Sequence, residues 1–278
     1  MGIQKGRAAD RADRPEASKP SSEPAPHLSR STLVQEVWLV FALSLGRDAV
    51  EAVIVFLGAL TSGHRLPQQQ AVLIGSQAPG RPWIDLSLQL VSVVAALMPV
   101  ALVFHFLKRS GESPHDIGLD GSHPAPDAAA GVGLALLLGG LGLALYLGAR
   151  AAGANLTIVP ETLPSVWWKI PVLVLSALQN GVLEEILVVG YLLHRLRQMG
   201  WTDSRALTVS AFLRASYHLY QGLGGFAGNA AMGVIFGRLY QRYGRLLPLV
   251  IAHTLIDATT FIGYVLLAGH VSWLPVPH

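Results

Sequence analysis

The chain of 278 residues contains no cysteine, and charged residues are scarce in it. Without cysteine it can form neither a disulfide bond nor a thiolate nucleophile, and any metal would have to be held by His, Asp or Glu. Charged residues make up 13% of the sequence, against roughly 25% in an ordinary soluble domain, and 51% of the residues are hydrophobic. These proportions predict a polytopic membrane protein and argue against nucleic-acid binding, although the formal net charge is +3.

Residues 1–30 differ in composition from the rest of the chain. They are rich in Ala, Pro, Ser and mixed charges, and they lack the contiguous apolar region of a signal peptide. We predict a disordered cytoplasmic tail over residues 1–30, followed by a membrane domain over residues 31–278.

Seven apolar stretches are long enough to be considered as membrane spans, because a crossing needs about 17 to 25 residues. The first contains Arg47, Asp48 and Glu51, so it is either one tilted span or two shorter helices. We therefore predict an all-α membrane helix bundle of seven to eight transmembrane segments. The stretches lie at about 33–62, 84–107, 128–149, 168–193, 204–221, 226–241 and 247–269.

The distribution of basic residues predicts the orientation of the bundle. With the N-terminus inside, 14 of the 20 Lys and Arg residues fall in cytoplasmic segments and four in outer ones. Cytoplasmic loops of membrane proteins carry such an excess. We expect a multi-pass protein of the cell membrane with its N-terminus in the cytoplasm.

Two adjacent carboxylates, Glu184 and Glu185, interrupt the apolar run PVLVLSALQNGVLEEILVVGYLL. A charged side chain near the bilayer centre costs a few kcal/mol or more, and such residues usually face a protein interior or a wet cavity. Asn180 lies one helical turn before Glu184 and shares its face. The pair indicates catalysis, an ion path or a proton relay inside the membrane.

Two later stretches repeat the one-turn spacing of polar residues, with Arg214 and His218 on one and His253 and Asp257 on the other. Each pair could serve packing alone, as a hydrogen-bonded contact between helices. Taken together with the two glutamates they are costly to bury, which favours a common functional cavity.

Hydrolysis is the chemistry that suits these side chains. A buried carboxylate can take a proton from water and return it to a leaving amine. Two histidines can bind a metal such as zinc or donate hydrogen bonds to an oxyanion. The chain has neither the HExxH motif of a zincin-type metalloprotease nor the GxSxG motif of a serine nucleophile elbow. Its C-terminal spans contain a single aspartate, Asp257, so the two aspartates of an aspartic protease are also missing there.

The order EE, then H, then HxxxD on successive predicted helices resembles the CPBP family of CAAX proteases and bacteriocin-processing proteins. These resemble the type II CAAX prenyl endopeptidases. The segments LEEILVVGYLLHRLRQMG and RLLPLVIAHTLIDATTF are similar in sequence to those of an actinobacterial-type branch of the family. The resemblance covers about residues 167–269, which would form the catalytic core.

The resemblance implies a role for each residue of the motifs. Glu184 would be the general base that activates water, and Glu185 its orienting neighbour. His218 would hold that water or a metal, while His253 and Asp257 would stabilise the oxyanion or complete a metal site. Zinc or another divalent metal is one implied cofactor, with His218 and His253 as its ligands, and a metal-free mechanism is the other alternative.

The chain departs from the family pattern EExxxR and FxxxH at two positions. Val189 stands where the pattern has arginine, and Arg214 stands where it has phenylalanine. We hypothesise that Arg214 supplies the guanidinium that position 189 lacks, with Asn180 as a second supporting residue. A span that runs over 204–221 would place His218 too far out to meet Glu184, so we expect that boundary to differ.

The sequence thus predicts an intramembrane endopeptidase that acts on a peptide or membrane-protein substrate in the lipid bilayer. A non-catalytic membrane-binding regulator of the immunity type is the first alternative, and Val189 is the residue that keeps it open. An ion-coupled transporter with Glu184 as its proton carrier is the second, although no inverted repeat is evident.

Overall fold

The computed structural model describes residues 28–275, and 74% of it is helical. The predicted tail over residues 1–30 lies almost wholly outside the described residues. The described chain forms nine helices and two short strands in the following order: α1 Arg30–Ala42, α2 Leu45–Thr61, β1 Gln70–Ile74, α3 Pro82–Arg109, α4 Pro124–Ala151, β2 Thr157–Glu161, α5 Lys169–Glu184, α6 Leu192–Gln198, α7 Asp203–Tyr217, α8 Leu223–Tyr243 and α9 Leu247–Leu267. A π-helical segment, Glu185–Tyr191, joins α5 to α6 without a break.

Within residues 28–275, four helical rods are long and apolar enough to cross a membrane: α3, α4, the continuous rod Lys169–Gln198 and α9. They coincide with the stretches predicted at 84–107, 128–149, 168–193 and 247–269. The other three stretches correspond to α1 with α2, to α7 and to α8, which are shorter or more polar. Four candidate spans therefore support a multi-pass membrane protein, and the count of seven to eight segments stays a prediction.

The first predicted stretch is two helices rather than one tilted span. The helix breaks at Leu43 and Ser44, and the Ser44 hydroxyl donates back to the carbonyl oxygen of Val40 at 2.6 Å. A Cβ atom at Gly46 would lie 2.5 Å from the carbonyl oxygen of Phe41. Glycine at this position therefore allows the first turn of α2 to pass close to the end of α1.

The all-α prediction is wrong in one feature, a two-stranded parallel sheet. Strand β1 pairs with β2 from Gln70 opposite Thr157 to Ile74 opposite Glu161. The strands lie in the connections that follow α2 and α4, and their short apolar, β-branched sequences suit a pleated pair. Pairing also satisfies backbone groups that would otherwise lack partners between the helices.

The rod Lys169–Gln198 forms the centre of the bundle. Every residue from Leu183 to Leu193 is buried, including the whole π-helical segment. Helix α8 reaches α7 closely because Gly233 and Gly237 face it: a Cβ atom at Gly233 would lie 2.9 Å from the Cα of Ala211. Small residues allow such close approach of helix backbones in lipid.

A buried ion network joins α1 to the ends of α3 and α6. Glu36 is buried and forms ion pairs with Arg109 and with Arg195, whose Nη2 lies 3.4 Å from its carboxylate. The Tyr191 hydroxyl donates to the same carboxylate at 3.3 Å. This network fixes the middle of α1 against the central rod.

Glu112, in the loop after α3, extends that network outside the helices. His194 and Arg195 each contact its carboxylate at 2.5 Å, Ser110 donates at 2.6 Å and Gln198 at 2.7 Å. Burial by itself would raise the pKa of Glu112, but the hydrogen bonds from His194, Ser110 and Arg195 outweigh it and lower the pKa to about 2. The loop is thereby anchored by an ionised carboxylate.

The depressed pKa of Glu112 predicts how the stability of the fold depends on pH. A folded-state pKa of about 2, below the usual 4.5, adds stability that is complete above pH 4.5 and is lost as the pH falls through 2. We expect the melting temperature of the wild type to fall more steeply than that of Glu112→Gln between about pH 5 and pH 3. Thermal unfolding in detergent measures this.

Asp203→Asn is the matched control, because Asp203 pairs with Arg197 at the exposed surface. That variant should follow the wild-type pH dependence. If Glu112→Gln also followed it, the anchoring role of the Glu112 carboxylate would be contradicted.

Candidate active site

Two neighbouring carboxylates stand where α5 passes into the π-helical segment. Glu184 is the last residue of α5 and Glu185 is the first of the segment, and both are buried. π-helical turns inside α-helices are rare and occur frequently at functional sites. The two side chains belong to one helix but face different partners.

Arg214 on α7 bridges both carboxylates. Its Nη2 donates to Oε1 of Glu185 at 2.7 Å, and its Nη1 donates to Oε2 of Glu184 at 3.4 Å. The guanidinium is fully buried and lies 5.8 Å from the centre of the Phe236 ring. One turn earlier, the hydroxyl of Ser210 donates to the carbonyl oxygen of Val188 at 2.8 Å, which fixes α7 against the segment.

The two oxygens of Glu184 have different surroundings. Oε2 accepts a hydrogen bond from the Tyr217 hydroxyl at 2.7 Å as well as the contact from Arg214. Oε1 lies 4.0 Å from Nε2 of His218. Because Oε2 is occupied, Oε1 is the oxygen that remains for a water or a substrate.

The hydrogen bond of His218 determines which ring nitrogen faces Glu184. Its Nδ1 lies 3.0 Å from the carbonyl oxygen of Arg214. A carbonyl oxygen can only accept, so Nδ1 carries the proton and Nε2 of the neutral ring presents a lone pair. That lone pair faces the side of Glu184 where Oε1 lies.

His253 on α9 is also oriented through its Nδ1, in this case by a carboxylate. Its Nδ1 lies 2.6 Å from Oε1 of Glu185, the oxygen that Arg214 also contacts. Its Nε2 lies 3.9 Å from Oδ1 of Asp257, one turn further along α9. Carboxylates that hold Nδ1–H commonly fix the ring orientation of functional histidines.

Asn180 and Asp257 complete the cluster. The Asn180 amide donates to Oδ2 of Asp257 at 2.9 Å, which joins α5 to α9. The structure thus brings all seven predicted residues into one connected cluster: Asn180, Glu184, Glu185, Arg214, His218, His253 and Asp257. Arg214 in particular lies against both glutamates, the position that the hypothesis about Val189 requires.

The fifth predicted stretch keeps its start, because α7 begins at Asp203, and differs from the prediction only at its end. Helix α7 ends at Tyr217 instead of continuing to 221, and His218 is the residue that follows it. A short 3₁₀ turn, Leu219–Gln221, then leads to α8. His218 nevertheless meets Glu184, with 4.0 Å between Nε2 and Oε1, and the shift of the span within the membrane stays a prediction.

Sequence reasoning missed Tyr217, which contacts Glu184 directly. A tyrosine beside a predicted span end is ordinarily assigned to packing or to the membrane interface. The available signal was its position, three residues after Arg214 and therefore on nearly the same face of α7.

The arrangement fits a metal ion poorly. Between residues 28 and 275, no three His, Asp or Glu side chains are grouped so that they could hold a metal. Oε2 of Glu184 is already bound by Tyr217 and Arg214, and the guanidinium places a positive charge beside both glutamates.

The comparisons with known proteins bear on this same part of the chain. The family model described as type II CAAX prenyl endopeptidase Rce1-like matches residues 166–259, about a third of the chain. Neither the curated proteins nor the solved structures include a significant match. The matched segment contains every residue of the cluster, from Asn180 to Asp257. Over residues 166–259 the chain therefore matches the Rce1-like family of type II CAAX prenyl endopeptidases, which confirms the resemblance that the motifs predicted.

Proposed function

We propose that the protein is an intramembrane endopeptidase in which Glu184 activates a water for attack on a peptide bond. The matched family is one of peptidases, which supports the reaction class. The observation that carries the proposal is the pairing of a free carboxylate oxygen, Oε1 of Glu184, with the lone pair on Nε2 of His218 across 4.0 Å. The substrate would be a peptide or membrane-protein segment, cleaved towards the cytoplasmic half of the bilayer.

The 4.0 Å between these two atoms is the separation that one bridging water requires. Two acceptors 4.0 Å apart can both bind the same water at about 2.8 Å each. The water would donate one hydrogen to Oε1 of Glu184 and the other to Nε2 of His218, which leaves an oxygen lone pair for the scissile carbonyl carbon. Glu184 takes the proton as the C–O bond forms, and it returns the proton to the amide nitrogen as the C–N bond breaks.

His253 is placed to stabilise the tetrahedral oxyanion. Its Nδ1 is held by Glu185, so a proton on Nε2 makes the ring an imidazolium with one N–H towards the cavity. The carboxylates of Glu185 and Asp257 on either side balance that charge. A donor aimed at the developing oxyanion is commonly the largest single contribution to catalysis.

Arg214 holds the base in place under this proposal. It neutralises Glu185, and together with Tyr217 it restrains Oε2 of Glu184 so that Oε1 faces the water. This arrangement argues against the non-catalytic alternative, because the charge missing at Val189 is supplied from α7.

Replacement of the base is the first test of the proposal. We expect Glu184→Gln to lower peptide release by about 10² to 10⁴-fold, the usual loss when a general base is removed. Mass spectrometry of membrane-derived peptides in the native host compares wild type with the variant. Asp203→Asn, an exposed carboxylate-to-amide change, is the control and should leave the peptide set unchanged. Identical sets for wild type and Glu184→Gln would refute the peptidase.

The role of Arg214 is tested by exchanging the two unusual positions. We expect Arg214→Phe to lower release at least tenfold, because two buried carboxylates lose their shared cation and such a loss costs about 3–5 kcal/mol of stability. The double variant Val189→Arg with Arg214→Phe restores the family pattern and should recover part of the activity and of the melting temperature. Full activity of Arg214→Ala, alongside an inactive Glu184→Ala, would contradict the compensation.

Metal dependence separates the two hydrolytic mechanisms. With Arg214 supplying the positive charge, we expect cleavage of an identified peptide by purified protein in proteoliposomes to persist after dialysis against a strong chelator. Loss of cleavage that zinc or another divalent ion restores would instead support metal ligation by His218 and His253.

A further inference from the structure

Helices α1 and α2 together run the length of the bundle. At its middle, α1 contacts the end of α3 through the ion pair of Glu36 with Arg109. The end of α2 lies beside the start of β1, where the Gln69 amide donates to the carbonyl oxygen of Ala59 at 2.9 Å. The break at Ser44 therefore falls near the middle of the span predicted at 33–62.

Helix α2 presents three different faces at about 100° per residue. One face, with Ala52, Phe56 and Ala59, is buried and packs on α7 and the turn after it. The opposite face, with Val50 and Leu57, is apolar and exposed. Between them lies a polar flank that we define as Arg47, Asp48 and Glu51, which fall within about 100° of each other.

The span predicted at 33–62 places the polar flank near the middle of the bilayer, where lipid does not tolerate charge. Asp48 is about 27 Å along the helices from Arg30 and about 20 Å from Thr61, at 1.5 Å per residue. Its ion pair with Arg47 spans 3.3 Å, and the two side chains remain 42% and 72% exposed. Charged groups near the bilayer centre face a protein interior or a wet cavity. Arg47 and Glu51 are exposed and Asp48 is only partly covered, so this flank needs water.

The packing of α2 relates this flank to the active site. The buried face of α2 packs on α7, the helix that carries Arg214 and Tyr217, and on the turn Leu219–Gln221 that follows His218. Asp48 lies one turn before Ala52 of that buried face and therefore borders it.

We propose that the polar flank of α2 lines a water-filled cleft that opens sideways from the bundle and leads to Glu184. The cleft admits an extended, unwound peptide segment, because the unpaired N–H and C=O groups of such a segment cost several kcal/mol each in hydrocarbon and are satisfied by water and charged side chains. The passage of substrate rests on the proposed peptidase function, whereas the water in the cleft does not.

The absence of cysteine makes the cleft directly testable, since every introduced thiol is unique in the chain. Arg47→Cys and Glu51→Cys probe the flank, and Val50→Cys and Leu57→Cys on the same helix are the matched controls. A charged thiosulfonate reagent is added to proteoliposomes, where only a hydrated thiol can ionise and react. We expect the flank positions to react at least tenfold faster than the controls.

Either of two results would overturn the cleft. Equally slow reaction at all four positions would mean that lipid or a partner covers the flank. Equally fast reaction would mean that α2 lies outside the hydrocarbon. Labelling after detergent solubilisation gives the total thiol for each variant and identifies any that is misfolded.

The substrate route has a separate readout. A bulky reagent is attached in detergent, before reconstitution, to both Glu51→Cys and Val50→Cys; it should reduce peptide release at least tenfold in the first variant and not in the second. Rapid labelling with undiminished release would refute the route but leave the wet cleft standing. Fast labelling of the flank in a protein whose unlabelled variants release no peptide would count against the peptidase and not against the cleft.

Discussion

The contact of one guanidinium with two adjacent carboxylates is the interaction on which the rest of this molecule depends. Glu184 and Glu185 would repel each other in a medium of low dielectric, and neither could be buried as an anion without a counter-charge. Arg214 reaches both because its planar group carries donors in a fork, at 2.7 Å to one carboxylate and 3.4 Å to the other. A lysine, with a single charged nitrogen, could not span the pair in the same way.

The burial of that guanidinium between the two glutamates determines how the surrounding helices pack. Helix α7 must lie against the π-helical segment, which the Ser210 bond to Val188 secures, and α8 must approach α7 at Gly233, where a Cβ atom would come within 3.3 Å of the Arg214 side chain. Tyr217 and His218 then follow from α7 one turn later and meet Glu184 from the same side. The fold of residues 184–237 is thus arranged around one buried charge cluster.

The site was more predictable from sequence than the fold around it. Polar residues are rare in apolar stretches because they are costly to place in a membrane, so the few that occur there indicate a functional site. One-turn spacing placed Arg214 with His218 and His253 with Asp257, and the three helices do bring them together. The sheet and the network of Glu36 with Arg195 could not be anticipated in this way. They depend on pairings between residues far apart in the chain, such as Gln70 with Thr157, which no local pattern encodes. Tyr217 was missed because its residue type is also common in packing.

The exposure of the side chains increases from one side of the cluster to the other. Glu185 lies on the buried side and Glu184 on the more exposed side, which suits the two glutamates to different roles. The side chains of Glu185 and Arg214 are fully buried, that of Glu184 is 10% exposed, and those of His218 and Asp257 are 14% and 22% exposed. Strong ion pairing therefore lies on the dry side, where the dielectric is lowest. The atoms that would handle water, Oε1 of Glu184 and Nε2 of the two histidines, face the opposite side. A hydrolytic site built in this way needs its water from one direction only, and α2, which packs beside His218, is the helix that carries charge at that depth.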